Sequence, residues 1–188
     1  MEPLRALLER LKTDDPATAA HSATVARWAE RIAGRLRFAQ EERFFVARSA
    51  MLHDIGKLYV PRGLLSAPRA LNVDETAAVR EHVIAGERVL ALHPELYIFL
   101  DAVRWHHERI DGRGYPDGLK GDRIPVVTRI VAVADAYDAM TARRPYRLPL
   151  SPERALLELE RHRGSQFDPE IVDAMIDCVM ETQRPLAM

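Results

Sequence analysis

The stretch Met51-Leu52-His53-Asp54-Ile55-Gly56-Lys57 decides the reading of this chain. An imidazole and a carboxylate stand side by side at the end of an apolar helical stripe, where they are poor core residues and good metal ligands. Outward from this pair, His21, His82, His106, His107 and Asp135 recur at helix-scale intervals. The spacing predicts a metal site assembled from five separate helices.

Helical periodicity dominates the segments that carry these residues. Ala20, Val25, Trp28, Ala29 and Ile32 fit one stripe of a helix over about residues 15–36. Phe44, Phe45, Ala47, Met51 and Leu52 fit a second stripe that runs into His53. Val79, Val83, Gly86, Val89, Leu90 and Leu92 describe a third helix with His82 in its middle, and Tyr97 to Trp105 a fourth, closed by His106-His107. Val126 to Thr141 is rich in Val, Ile and Ala, and its length favours a buried helix over a strand. Asp15-Pro16, Ser151-Pro152 and Asp168-Pro169 each set a capping side chain before a proline at the first helical position. The last two predict helices over about 152–162 and 169–181.

Two stretches read as non-helical. Tyr59 to Val73 contains Pro61, Gly63 and Pro68; Asp111 to Pro125 contains Gly112, Gly114, Pro116, Gly118, Gly121 and Pro125. The second is a long Gly/Pro-rich loop with fixed turns, directly after His106-His107, and long loops in compact domains are more often functional than neutral. Residues 1–188 are therefore expected to form a single all-α domain with its core over about 15–181 and room for at most a short helix before it.

Composition narrows the partners. Of 188 residues 47% are hydrophobic, enough for a sizeable core, and the net charge is only -1. No global charge favours a nucleic-acid polymer or a membrane surface, so anion binding must come from a local cluster. The single cysteine, Cys178, excludes an internal disulfide and suits a reducing, cytoplasmic setting. Met1-Glu2-Pro3-Leu4-Arg5 lacks the plan of a signal peptide, and no apolar run approaches the ~20 residues of a membrane span, so no membrane insertion is expected.

A lone histidine on a helix is ordinarily structural, and His93 and His162 are read that way. For the other five that account must explain too much at once. Asp135 adds to it by interrupting Ile130-Val131-Ala132-Val133-Ala134, where a carboxylate is costly unless paired or metal-bound. Asp54 has two oxygens and can bridge two metals, an established device for phosphoryl transfer. Two carboxylates and neutral histidines leave two divalent ions with excess positive charge, which suits an anionic ligand. Lys57 lies one turn beyond Asp54. Arg143, Arg144 and Arg147 follow the Asp135 segment, and Arg143 alone is accounted for as a cation at a helix end.

The order His21, His53-Asp54, Asp135 resembles that of the HD metal-dependent phosphohydrolase superfamily. His82, His106-His107, the run Glu108-Arg109-Ile110-Asp111-Gly112-Arg113-Gly114-Tyr115-Pro116, Asp117-Gly118-Leu119-Lys120-Gly121, Arg144-Pro145-Tyr146-Arg147, and Gly164 followed by Phe167-Asp168-Pro169 resemble its HD-GYP branch. The likeness covers about residues 18–180. It implies an all-helical domain that hydrolyses cyclic di-GMP to pGpG or GMP at an iron or manganese site, through attack by a metal-bridging hydroxide. Carried over, His21, His53, Asp54 and Asp135 would hold one metal, and Asp54, His82, His106 and His107 the second. Lys57 would contact the scissile phosphate, Tyr115 would line the ligand site, Arg144 and Arg147 would meet phosphates, and Asp138 would support a ligand.

Two positions depart from the pattern. Three-metal members carry a Glu four residues before the first His, where this chain has Ala17, so two metals are expected rather than three. Ala67 stands where the family usually has Lys, which weakens ligand capacity without removing a metal ligand. Two rival readings remain: a phosphohydrolase for another nucleotide, and a weakly catalytic or non-catalytic module that binds cyclic di-GMP and docks a protein partner through loop 111–125. The complete ligand set favours catalysis, because a pure binder need not keep two metals.

Overall fold

The computed structural model describes residues 2–142 and 148–183. The described residues form ten α-helices and three short 3-10 turns, with no strand. Helix α1 spans Glu2–Asp14, α2 Pro16–Arg35 and α3 Gln40–Leu52. After a 3-10 turn at Ile55–Tyr59 come α4 (Arg62–Leu65), α5 (Val73–Arg80) and α6 (His82–Ala91). A 3-10 turn at Pro94–Phe99 leads into α7 (Leu100–Trp105). The long loop contains one 3-10 turn, Gly121–Arg123, and delivers α8 (Val126–Thr141), α9 (Pro152–Arg161) and α10 (Pro169–Gln183).

The expected caps form. Asp15 accepts the backbone N–H of Thr18 at 3.0 Å and its hydroxyl at 2.6 Å. Ser151 accepts the N–H of Arg154 at 3.4 Å, and Asp168 accepts that of Glu170 at 2.9 Å. These bonds satisfy N–H groups that the first helical turn leaves unpaired.

Two apolar clusters hold the helices together. One gathers Val25, Ala29 and Ile32 of α2, Val46 and Ala50 of α3, Ile130, Val133 and Ala134 of α8, Leu159 of α9 and Met175 of α10. The other gathers Leu4, Leu7 and Leu11 of α1 with Leu52, Ile55, Val89, Leu90, Phe99 and Val103. The chain passes from the first cluster to the second between Ala50 and Leu52, and again between Ala102 and Val103. His53-Asp54 and His106-His107 follow these two crossings.

The structure corrects several expectations. Phe44 is 45% exposed, because α3 turns its smaller residues Val46, Ser49 and Ala50 inward against Ala26, Ala29 and Ala33 of α2. Leu92 is 75% exposed beyond the end of α6. The third predicted helix is two: α5 stops at Arg80 and His82 opens α6 rather than standing in its middle. The break at Glu81 keeps helical backbone angles, φ -61 and ψ -12, so neither Gly nor Pro marks it. The start of the fourth predicted helix, residues 97–99, belongs to the 3-10 turn 94–99, and only the rest is α7. The stretch expected to be non-helical from Tyr59 contains one helical turn, α4. It ends at an Asn72 cap, where Asn72 and Glu75 exchange backbone-to-side-chain bonds of 2.8 and 3.0 Å.

One close contact sets the position of the His53-Asp54 turn. A Cβ at Gly56 would lie 1.9 Å from the carbonyl oxygen of His82 and 2.5 Å from the backbone nitrogen of Gly86. With hydrogen alone at this position, the turn packs directly on the backbone of α6, which brings Asp54 to His82.

Candidate metal centre

The histidine rings are oriented by backbone. Nδ1 of His53 lies 2.6 Å from the Ala50 carbonyl, Nδ1 of His82 2.8 Å from that of Val79, and Nδ1 of His106 2.9 Å from that of Ala102. A carbonyl only accepts, so each Nδ1 carries the proton and each Nε2 presents a lone pair inward. His21 uses a side chain instead: its Nδ1 is 2.6 Å from Oδ2 of Asp138.

The inward nitrogens converge on Asp54, which is 1% exposed. Its Oδ2 lies 3.2 Å from Nε2 of His53 and 3.6 Å from Nε2 of His21. Its Oδ1 lies 3.3 Å from Nε2 of His82 and 3.8 Å from Nε2 of His106. The two oxygens thus face different histidine pairs. Asp135 completes one side, with Oδ1 3.0 Å from Nε2 of His21. His107 completes the other, its ring 4.1 Å from that of His106 and 5.2 Å from that of His82. Two sets of potential donors result, His21–His53–Asp54 and His82–His106–His107, each with its ligand atoms within 4.8 Å of one another.

These donors fit divalent cations. Nε2 of His53 and Oδ1 of Asp54 are buried without a hydrogen-bond partner, an arrangement that is costly when nothing else meets them. Nε2 of His82 and Nε2 of His106 stand 3.3 Å apart, and with both protons on Nδ1 the two lone pairs oppose each other. Burial, reinforced by neighbouring histidines, pushes the His106 pKa well down; burial also lowers that of His82 and takes that of His107 to about 4. A cation between the nitrogens relieves what a proton does not.

The carboxylates are held ionised. Burial opposes charge on Asp54, but Lys57 and His53 outweigh it and keep its pKa well below the usual range. Lys57 Nζ is 2.5 Å from Asp54 Oδ2. At Asp135 burial is again overcome, here chiefly by the hydrogen bond to His21. Burial disfavours charge on His21 as well, yet its bonds to Asp135 and Asp138 raise it to about 9.

The long loop closes over one side. Tyr115 stacks on His107, with ring centroids 4.8 Å apart and planes 25° from parallel, and the guanidinium carbon of Arg80 lies 4.8 Å from the same ring. Glu108, 4% exposed, ties the loop down by accepting the backbone N–H groups of Asp117, Gly118 and Leu119 at 2.7, 2.9 and 3.0 Å. Asp117 in turn accepts two bonds of 2.8 Å from Arg104 and one of 2.7 Å from the Trp105 indole. A Cβ at Gly114 would lie 2.4 Å from Glu108 Cα and 2.6 Å from the His107 carbonyl oxygen, so only glycine lets the loop return this closely.

The structure therefore brings together all seven predicted metal-binding side chains, with Lys57 and Tyr115 beside them. Ala17, one turn before His21, is exposed and offers no oxygen. Asp15 is engaged as a helix cap, and Asp14 faces Arg10 at 3.4 Å. Arg143, Arg144 and Arg147 lie outside the described residues. Sequence reasoning missed the tasks of Glu108 and Arg80. An acid directly after two predicted ligands was a signal for the first; the second depends on the return of the loop and left none.

Comparison with known proteins agrees with this geometry. A family model described as HD domain matches residues 6–171. The chain is 38% identical over 160 residues to 3'3'-cGAMP-specific phosphodiesterase 3 of Vibrio cholerae, covering 85% of this chain and 35% of that protein. It is 37% identical over 177 residues to the cyclic di-GMP phosphodiesterase response regulator RpfG of Xanthomonas campestris, covering 93% of this chain and 47% of the relative. The chain thus spans less than half the length of these relatives. Its fold matches an HDG"Y"P protein of Bdellovibrio bacteriovorus with a TM-score of 0.73 at 19% identity, covering 88% of this chain and 53% of that one. The metal-ready cluster of His and Asp in an all-helical frame and the match over most of the sequence lead to one conclusion: the chain belongs to the HD domain family.

Proposed function

We propose that this chain is a metal-dependent phosphodiesterase of the HD-GYP type, forming one domain, that hydrolyses cyclic di-GMP to pGpG or GMP. The observation that carries the reading is the division of Asp54: Oδ2 faces His53 and His21, while Oδ1 faces His82 and His106. One carboxylate placed between two nitrogen-rich sets is the arrangement expected of a bridge between two metals. In this reading His21, His53, Asp54 and Asp135 hold one ion, Asp54, His82, His106 and His107 the other, and the ions are iron or manganese.

Bound divalent cations would supply Lewis acidity and an activated water for attack on phosphorus. The protein's own residues do the rest. Lys57, anchored on Asp54, places an ammonium where charge develops on the phosphate. Tyr115 and the loop tied by Glu108 wall one side of the site and restrict solvent at His107. The names of both relatives support a cyclic dinucleotide as substrate. Arg144 and Arg147 are assigned to its phosphates from the resemblance of the sequence.

The test is anaerobic metal analysis combined with product identification from cyclic di-GMP and, separately, from 3'3'-cGAMP. Two metals per chain and linearisation of cyclic di-GMP are expected. Preference for 3'3'-cGAMP would correct the substrate. Tight binding of cyclic di-GMP by metal-loaded protein without turnover would establish a binding module instead.

A further inference from the structure

We infer that Arg80 is a substrate-positioning residue that holds the second, non-reacting phosphate of a cyclic dinucleotide while the first is cleaved. The inference rests on the phosphodiesterase reading above and names a residue that neither the sequence pattern nor the comparisons single out.

Arg80 is the last residue of α5, one position before the break that starts α6 at His82. The break turns Arg80 toward the long loop, where its guanidinium lies over the Tyr115 ring, 4.8 Å from the centroid. That ring is itself stacked on His107. A cation therefore stands one aromatic ring away from a predicted metal ligand. It is exposed, and among the described residues it makes no hydrogen bond or ion pair with an acidic side chain.

Two other arginines that contact this loop are already engaged. Arg104 is bound to Asp117 and Glu87, and Arg109 to Asp111 and Gln166. Each has a carboxylate as counter-ion, and each fixes the loop. Arg80 lies instead over the face of a tyrosine, a contact that uses none of its five N–H donors. A guanidinium with unspent donors presents a ready fork for phosphate oxygens.

The chemistry of the substrate offers such a group a ligand, alongside Arg144 and Arg147, which the resemblance assigns to its phosphates. A cyclic dinucleotide carries two phosphodiesters joined in one ring. When one sits at the metals, the other remains an anion outside them, open to a cationic partner. Lys57, bonded to Asp54, belongs to the reacting phosphate. Arg80, beyond Tyr115, is placed for the other.

The experiment compares the metal-loaded wild type with Arg80→Ala, Arg80→Lys and, as a control for surface charge, Arg88→Ala, an exposed position on α6. Substrates are cyclic di-GMP and bis(4-nitrophenyl) phosphate, which has a single phosphodiester. Arg80→Ala should raise KM for cyclic di-GMP by roughly tenfold or more. Its kcat, its metal content and its activity on bis(4-nitrophenyl) phosphate should stay near wild type. Arg80→Lys should fall between, since it keeps the charge and loses the planar fork, and Arg88→Ala should match wild type. An unchanged KM in Arg80→Ala overturns the inference. So does equal loss on both substrates with loss of metal, which would make Arg80 a support for Tyr115 and His107. If wild type cleaves bis(4-nitrophenyl) phosphate but never cyclic di-GMP, the substrate reading itself fails and takes this inference with it, an outcome visible before any variant is made.

Discussion

His21 and Asp138 are joined by a 2.6 Å contact between Nδ1 and Oδ2, so the ring that faces Asp54 and Asp135 is held from behind by a second carboxylate. Such a partner fixes the tautomer and makes the inward nitrogen a better donor. Asp138→Ala should weaken metal binding by about 10–100-fold, although it removes no ligand. Asp138→Asn should be milder, since an amide oxygen can still accept from Nδ1. Metal retained against a series of chelator concentrations measures both. Wild-type retention in the alanine variant would show that the backbone alone orients His21.

Asp54→Ala should lose more metal than any single histidine variant. Its two oxygens serve two different histidine pairs, whereas His53 or His82 serves one. Stoichiometry by elemental analysis should fall toward zero in Asp54→Ala and toward one ion per chain in His82→Ala. Two ions retained in Asp54→Ala would end the bridging assignment.

Glu108 gives a prediction of a different kind, because it touches the loop and not the proposed metals. Its carboxylate gathers three consecutive backbone N–H groups. Glu108→Gln replaces one acceptor oxygen by a donor and leaves one of those N–H groups facing another N–H. The expected loss is about 1–3 kcal/mol of stability, seen as a lower Tm. A rise in KM should accompany it as Tyr115 loses its fixed place on His107. Unchanged Tm and KM would mean that the Arg104–Asp117 pair holds the loop unaided.

Gly56→Ala should be more damaging than most substitutions in the site. The added methyl would meet the His82 carbonyl oxygen at 1.9 Å and the Gly86 nitrogen at 2.5 Å, both of them backbone atoms of α6. Neither can move aside as a flexible side chain would. Relief requires the His53-Asp54 turn to separate from α6, at a cost of about 1–3 kcal/mol or more, and it pulls Asp54 away from His82. Thermal unfolding with and without added Mn(II) reads both effects: a lower Tm and a smaller gain on metal addition. A variant with wild-type Tm and metal response would refute the close-packing argument.

The particular residues explain what the sequence made legible. Asp135 was readable because a carboxylate in an Ile/Val/Ala run has no cheap structural use, and His53-Asp54 because the pair follows an apolar stripe. The same periodicity misjudged α3, since it gives the repeat of apolar residues and not which side the neighbouring helix can accept; the alanines of α2 take Val46 and Ala50 and leave Phe44 outside. The α5–α6 break escaped because Glu81 keeps helical angles. Its consequence, the placement of Arg80 over Tyr115, is a contact between elements far apart in sequence, and no local signal carries it.

Lys57 offers the sharpest separation of chemistry from structure. Its ammonium lies 2.5 Å from Asp54 Oδ2 and remains 23% exposed, so it can face a bound phosphate while staying anchored. Lys57→Ala should lower kcat on bis(4-nitrophenyl) phosphate and on cyclic di-GMP alike, by about 100-fold, the scale of one lost transition-state donor. KM should change little, and both metals should remain, since a nitrogen that is already cationic is no ligand. A purely structural Lys57 would behave differently. As a counter-charge for the buried Asp54 carboxylate in the metal-free protein, its loss would lower the Tm of that form, and metal loading would restore both Tm and kcat. Full kcat in metal-loaded Lys57→Ala would therefore remove the lysine from the reaction and leave charge stabilisation to the metals alone.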